Sequence, residues 1–127
     1  MVNVLLIDAY GPFRRALKTA LIAAYPSIRL REAGTGVEGL QKASEETPNI
    51  ICMDIHIPGE DGFDIASRLA VHCPHVSLII ITSSDLPEYR QAALQAGATH
   101  FVSKGEETLA DILTIVERLA TSPAADV

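Results

Sequence analysis

Four polar residues of this chain each stand at or just past the end of a short apolar run. Asp8 follows Val4-Leu5-Leu6-Ile7, and Asp54 follows Ile50-Ile51-Cys52-Met53. Thr82 follows Leu78-Ile79-Ile80-Ile81, and Lys104 follows Phe101-Val102-Ser103. Runs this short and this apolar, separated by helical patterns, read as buried parallel strands. In an open parallel sheet, ligands bind in the crevice outside the carboxyl ends of the strands. Two carboxylates, a hydroxyl and an amine are therefore expected at one edge. Such a set suits a divalent cation, which takes oxygen ligands, and a phosphoryl group. A carboxylate can serve as nucleophile and form an acyl phosphate, and phosphoryl transfer then needs alignment and charge neutralisation. Asp54 is the expected reacting group. Lys104 supplies a point charge, Thr82 a hydrogen bond, and Asp8 a ligand for Mg²⁺.

The elements that must position these residues alternate regularly. Asn3 to Ile7 reads as the first strand, followed by a helix with Pro12 in its first turn. Phe13, Leu17, Ala20, Leu21 and Ala24 recur at helical spacing as its apolar face, and Pro26 prevents continuation. Arg29 to Ala33 is a more polar second strand, expected near a sheet edge. After the Gly34-Thr35-Gly36 turn comes a helix with Val37 and Leu40 inward. Pro58-Gly59-Glu60-Asp61-Gly62 reads as a solvated loop, then a helix with Ile65 and Leu69 inward, broken by Pro74. Asp85 is expected to cap the fourth helix, Gly97 to end it, and Thr99 to Val102 to form the fifth strand. Tyr89, Ala92, Ala93 and Ala96 of that helix belong either to the core or to a docking face. Leu109, Ile112, Leu113, Val116 and Leu119 give the last helix the clearest apolar stripe. Five strands alternating with five helices predict an α/β doubly wound parallel sheet with helices on both faces.

Bulk properties narrow the function. A chain of 127 residues with 48% hydrophobic and 20% charged residues makes one globular domain with a core of its own. A net charge of −6 argues against direct binding of nucleic acid or anionic membrane by this domain. No apolar stretch approaches the roughly 18 residues needed to span a bilayer. The N-terminal residues run straight into a strand without a signal-peptide pattern. Cys52 and Cys73 have no paired spacing and read as reduced thiols, so a cytoplasmic location is expected. His72-Cys73-Pro74-His75 fits no standard zinc spacing. His56, two residues past Asp54, either influences the acyl phosphate or points to water, and His100 is expected to be exposed.

Met53-Asp54-Ile55-His56-Ile57-Pro58-Gly59-Glu60-Asp61-Gly62 resembles the phospho-acceptor loop of response-regulator receiver domains, which have the CheY-like, flavodoxin-like (βα)5 fold. Leu5-Leu6-Ile7-Asp8 with Phe13-Arg14 is similar to the NarL/FixJ (LuxR-type) subfamily. Ile80-Ile81-Thr82-Ser83 and Gly97 to Lys104 resemble the switch-hydroxyl strand and the last strand with its lysine. The resemblance covers Val4 to about Ala120, which makes residues 1–120 a receiver domain and 121–127 a flexible tail or truncated linker. It implies a two-component phosphorelay in which Asp54 accepts a phosphoryl group from a sensor histidine kinase, a phosphotransfer protein or a small acyl phosphate. Thr82 would then move toward the phosphoryl oxygens, and Phe101 would be the switch aromatic. The backbone carbonyl of His56 would join Asp8 and Asp54 as a Mg²⁺ ligand. The face of the fourth helix, fifth strand and fifth helix would change shape and dock a partner, a second copy or an output domain, of helix-turn-helix DNA-binding type if the chain continues.

Three departures bear on this. Ala9 stands where the family usually has a second acidic metal ligand, which predicts weak Mg²⁺ binding and slow phosphorylation. Phe101 lacks a hydroxyl, and Gly105 follows the lysine where many receivers have proline. Ala9 also keeps open a different class of function: a divergent receiver acting without phosphate as an interaction or dimerisation module. A flavin- or nucleotide-binding role is disfavoured, because residues 8–12 lack a glycine- and serine-rich phosphate cradle. An enzyme acting on a small substrate is disfavoured too, since no base is visibly paired with Asp54. Self-catalysed phosphoryl transfer and autodephosphorylation would be its only chemistry.

Overall fold

The computed structural model describes residues 2–84 and 86–121. The elements follow in strict alternation: β1 (Asn3–Ile7), α1 (Gly11–Ala24), β2 (Arg29–Ala33), α2 (Gly36–Glu45), β3 (Ile50–Asp54), α3 (Gly62–His72), β4 (Ser77–Thr82), α4 (Pro87–Ala96), β5 (His100–Ser103) and α5 (Thr108–Thr121). All strands pair in parallel, in the order β2-β1-β3-β4-β5. β2, the most polar strand, lies at an edge as its composition predicts. The order reverses direction between β1 and β3, and the crevice of a doubly wound sheet opens at such a point.

Side chains alternate across the sheet, so each strand feeds two cores. Leu5, Ile7, Ile51, Met53, Leu78 and Ile80 face one side, with Ile65, Leu69, Ala93 and Ala96 from α3 and α4 and Ala43 from α2. Val4, Leu6, Cys52, Ile79, Ile81 and Val102 face the other, against Leu17 and Leu21 of α1 and Ile112 and Val116 of α5. Ala93 and Ala96 are thus core residues, and Cys52 and Cys73 are buried free thiols.

Several local expectations are corrected. Val37 points to solvent, because Gly36, Gly39 and Ala43 form the inner face of α2. A Cβ on Gly39 would lie 2.4 Å from Ile7 Cδ1, so the helix sits too close to the sheet for a larger residue there. Ala24 is exposed at the end of α1, where the chain turns away from the sheet. β5 is His100–Ser103, one residue later than predicted, since the pairing with β4 starts at Ile79 and His100. The N-cap of α4 is Leu86, without a side-chain cap; Asp85, the expected cap, lies outside the described residues. Gly97 ends α4 in the left-handed conformation, φ 107°, as expected. α5 continues through Thr121, a residue expected from the sequence to lie in the 121–127 tail or linker; the rest of that segment lies outside the described residues.

Candidate functional site

The sheet register brings the four polar residues to one place. Ile7 pairs with Met53, so Asp8 and Asp54 emerge side by side from β1 and β3 at the reversal point. Asp54 pairs with Ile81 and Thr82 with Ser103, so Thr82 and Lys104 follow across the same edge. Strand spacing of about 4.8 Å puts β5 roughly 10 Å from β3. Only a long side chain spans that gap. Lys104 does so: its Nζ lies 2.5 Å from Asp54 Oδ2 and 3.3 Å from Asp8 Oδ2. The Phe13 ring supports the ammonium, with Nζ 4.4 Å from its centroid. A cation over an aromatic face is attracted by the ring quadrupole.

The other carboxylate oxygens are held by the backbone. The Tyr10 amide donates to Asp8 Oδ1 at 2.8 Å, and the His56 amide donates to Asp54 Oδ1 at 2.7 Å. Each is an aspartate turn two residues long, which fixes the carboxylate plane. Arg14 Nη1 donates to the Asp8 carbonyl at 2.5 Å and so anchors α1 to the end of β1. Burial pushes the Asp8 carboxyl above its ordinary value; the Tyr10 amide and then the charge of Lys104 pull against it. Burial draws Lys104 down, but the hydrogen bond and charge of Asp54, followed by the charge of Asp8, carry its ammonium above the ordinary value.

Thr82 is fully buried. Its hydroxyl accepts from the Ser84 amide at 3.0 Å and lies 2.9 Å from His56 Nε2. The His56 side chain therefore faces Thr82, while its amide serves Asp54. Phe101 is half-buried against the α3–α4 core, with the Arg90 guanidinium 4.6 Å above its ring. Ala9 is exposed and brings no donor to the edge.

Two residues predicted as solvated loop hold the site's frame. Glu60 accepts from the Gly36 and Val37 amides at 2.8 and 2.9 Å, tying the β3–α3 loop to the start of α2. Asp61 caps α3 by accepting from the Phe63 and Asp64 amides. Gly62 is the first residue of α3; a Cβ there would lie 1.9 Å from the Ile55 carbonyl, so only glycine lets the helix approach the end of β3. The Glu60 contact has no local sequence signal, because its partners are 23 and 24 residues away. The His56–Thr82 contact has one in retrospect: β3 neighbours β4, and both residues lie at or just past the strand ends. His100 is half-buried rather than exposed, with Nδ1 3.0 Å from Thr99 Oγ1.

The donor set suits Mg²⁺ in kind. Two carboxylates and one ammonium leave an excess negative charge, and Mg²⁺ is commonly held by one or two carboxylates plus phosphate oxygens. It is sparse in number: among the described residues no group of three His, Cys, Asp or Glu side chains stands together, as Ala9 supplies none.

Comparison with known proteins identifies the family. Residues 4–117 match the response regulator receiver domain. The chain belongs to the response-regulator receiver family. A transcriptional activator protein, ExaE of Pseudomonas putida, is 33% identical over 124 residues, covering 97% of this chain and 57% of its own length. The NarL signal receiver domain from Mycobacterium tuberculosis is 27% identical with a TM-score of 0.82, over 95% of this chain and 97% of that one. A Burkholderia pseudomallei response regulator, solved with a phosphorylated aspartic acid, a calcium ion and citrate, shares the fold at 21% identity and a TM-score of 0.76 (96% of this chain, 76% of that one). The chain spans about half the length of the curated relatives it matches, from 49% to 57% for the first four. It is thus a CheY-like receiver domain of two-component response regulators, with transcriptional regulators among its relatives. Among the described residues, no helix of this receiver domain is long and apolar enough to cross a membrane.

Proposed function

We propose that this receiver domain accepts a phosphoryl group on Asp54 and relays its presence to the α4–β5–α5 face. The observation that carries the reading is the carboxylate pair of Asp8 and Asp54 at the sheet's reversal point, bridged by Lys104. An Asp54 carboxylate oxygen forms the new P–O bond. The P–N bond of a phosphohistidine on a kinase or phosphotransfer protein, or the P–O bond of an acyl phosphate, breaks and its electron pair leaves with the donor. The His56 amide holds the carboxylate in place, Lys104 offsets charge on the phosphoryl oxygens, and Thr82 donates a hydrogen bond to them. Water later releases inorganic phosphate and restores the carboxylate.

The phosphoryl group adds about −1.5 to −2 charges at neutral pH. One lysine cannot balance that together with two carboxylates. Mg²⁺ held by Asp8, Asp54 and the His56 carbonyl would supply the missing positive charge when bound. With Ala9 in place of a further acid, this binding is weak. Moving a two-state equilibrium from 1:99 to 99:1 takes about 5.5 kcal/mol of differential interaction. New charge-assisted hydrogen bonds to Thr82 and Lys104 are of the right kind to supply it. Phe101, packed beside α4 and lacking a hydroxyl, would report the change by packing alone. The partners on this reading are a histidine kinase or phosphotransfer protein upstream and an output domain or second copy downstream. Residues 122–127 would then be a tail or linker, in a protein working in the cytoplasm.

Ala9 favours a second reading: a receiver that signals by constitutive docking or dimerisation without phosphate. The two separate by intact mass. Acetyl phosphate with Mg²⁺ is expected to add about 80 Da, one phosphoryl group, to the wild type and nothing to Asp54→Ala. A wild type that stays unmodified points to the second reading.

A further inference from the structure

Among the described residues, the Thr82 hydroxyl has no hydrogen bond to either carboxylate. Its hydrogen bonds go to the Ser84 amide and to His56 Nε2. His56 in turn meets Tyr89 of α4 edge-on, with ring centroids 5.7 Å apart, and Tyr89 stacks on Phe63 of α3 at 5.9 Å. Hydroxyl, imidazole, phenol and phenyl groups thus form an unbroken chain from the end of β4 to α4 and α3. Phe101, the residue assigned the switching role by resemblance, instead packs under the Arg90 guanidinium.

We infer that His56 is a positioning residue that holds the Thr82 hydroxyl on the α4 side, and that α4 senses the release of this contact through Tyr89. The inference rests on the reading of Asp54 as phosphoryl acceptor. A hydroxyl has one proton and two lone pairs. One lone pair of Thr82 is taken by the Ser84 amide. With His56 protonated on Nδ1, the hydroxyl proton goes to Nε2 and must leave it before Thr82 can donate to a phosphoryl oxygen. With the proton on Nε2, the imidazole fills the second lone pair and still fixes the oxygen beside itself. In either tautomer, turning Thr82 inward breaks the contact and frees the His56 ring from a polar partner that orients it against Tyr89. The edge-to-face geometry of the aromatic pair depends on that orientation. The state of the site is therefore written into the start of α4 by a route through His56.

The test separates this coupling from the acceptor chemistry. His56→Phe keeps an aromatic ring against Tyr89 but removes the hydrogen bond, and Thr82→Val removes the hydroxyl with little change in volume. Both variants and their combination are compared with wild type by NMR of the Tyr89 ring and α4 amides, without any phosphoryl donor. Each single variant is expected to shift these resonances, and the double variant to shift them no further. Labelling of His56→Phe by acetyl phosphate is expected to be about two- to tenfold faster than wild type, the range for losing one hydrogen bond that holds the resting state. Additive shifts, or an α4 indifferent to Thr82→Val, overturn the inference; so does labelling that occurs in both wild type and His56→Phe at the same rate. If no variant labels while the shifts remain non-additive, the acceptor reading fails and the His56–Thr82–Tyr89 coupling stands.

Discussion

Lys104 Nζ lies 2.5 Å from Asp54 Oδ2, although β4 separates the strands that carry the two residues. The lysine thereby becomes the counter-charge for two carboxylates that have little access to solvent, the side chains of Asp8 and Asp54 being 6% and 8% exposed. Two carboxylates about 4 Å apart repel by roughly 4 kcal/mol at an effective dielectric of 20, so the ammonium is structural as well as chemical.

Lys104→Met leaves those carboxylates without their cation. Urea unfolding at pH 7 is expected to show a loss of about 1–3 kcal/mol, the cost of unsatisfied buried polar groups. Burial already holds Asp8 above its ordinary value. A folded carboxyl with a raised value binds its proton before the unfolded one does, so stability rises as pH falls through the folded value. The deficit of Lys104→Met is therefore expected to shrink in acid, and Asp8→Asn in the same background to recover part of it at pH 7. A Lys104→Met protein as stable as wild type at pH 7 would contradict this account of the charges.

Glu60 joins the acceptor loop to the α2 N-terminus through two amides. Loss of a side-chain cap costs about 1 kcal/mol, and Glu60→Ala is expected to lose about that much in thermal or urea unfolding. Amide hydrogen exchange should increase at Gly36 and Val37 and remain unchanged at the far edge of the sheet in β5. Unchanged protection at both amides would show that Glu60 is a solvated loop residue after all.

The strands, their order of use and the four polar residues at their ends were legible because burial on both faces leaves near-continuous apolar runs with abrupt polar ends. β1 and β3 lie where those runs predict them, and the polar β2 lies at its predicted residues. The packing of α2 was not legible. Val37 has the hydrophobicity of an inward residue, but Gly36 and Gly39 let the helix come so close that their side of it faces the sheet. Contacts distant in sequence, such as Glu60 to Gly36, His56 to Thr82 and Lys104 to Phe13, depend on loop paths that no periodicity encodes. Ala9, by contrast, is plain in the sequence, and in the structure it stands exposed with no polar side-chain atom at the edge.

His100 offers a pH signature away from the site. Burial, reinforced by the charge of Arg118, holds its imidazole below the ordinary value of 6.5. The unfolded chain takes up this proton first as pH falls, so the His100 contribution to stability is intact above pH 6.5 and is lost as pH drops through 6.5 toward the folded value. Chemical unfolding at pH 7.5 and 5.5 is expected to show a smaller pH-dependent loss in His100→Gln than in wild type. Equal losses in the two proteins would place the titration elsewhere.

The most direct test of the account is acetyl-phosphate labelling of wild type beside Ala9→Asp and Asp54→Ala over a Mg²⁺ titration, with the modified residue located by peptide mass. Wild type is expected to carry one phosphoryl group on Asp54 at high Mg²⁺. Ala9→Asp should reach the same level at about tenfold lower Mg²⁺, corresponding to about 1.4 kcal/mol from the added ligand, and Asp54→Ala should carry none. A wild type that remains unlabelled at every Mg²⁺ concentration while Ala9→Asp labels, or a phosphoryl group that persists in Asp54→Ala, would contradict the claim that this receiver domain switches through Asp54.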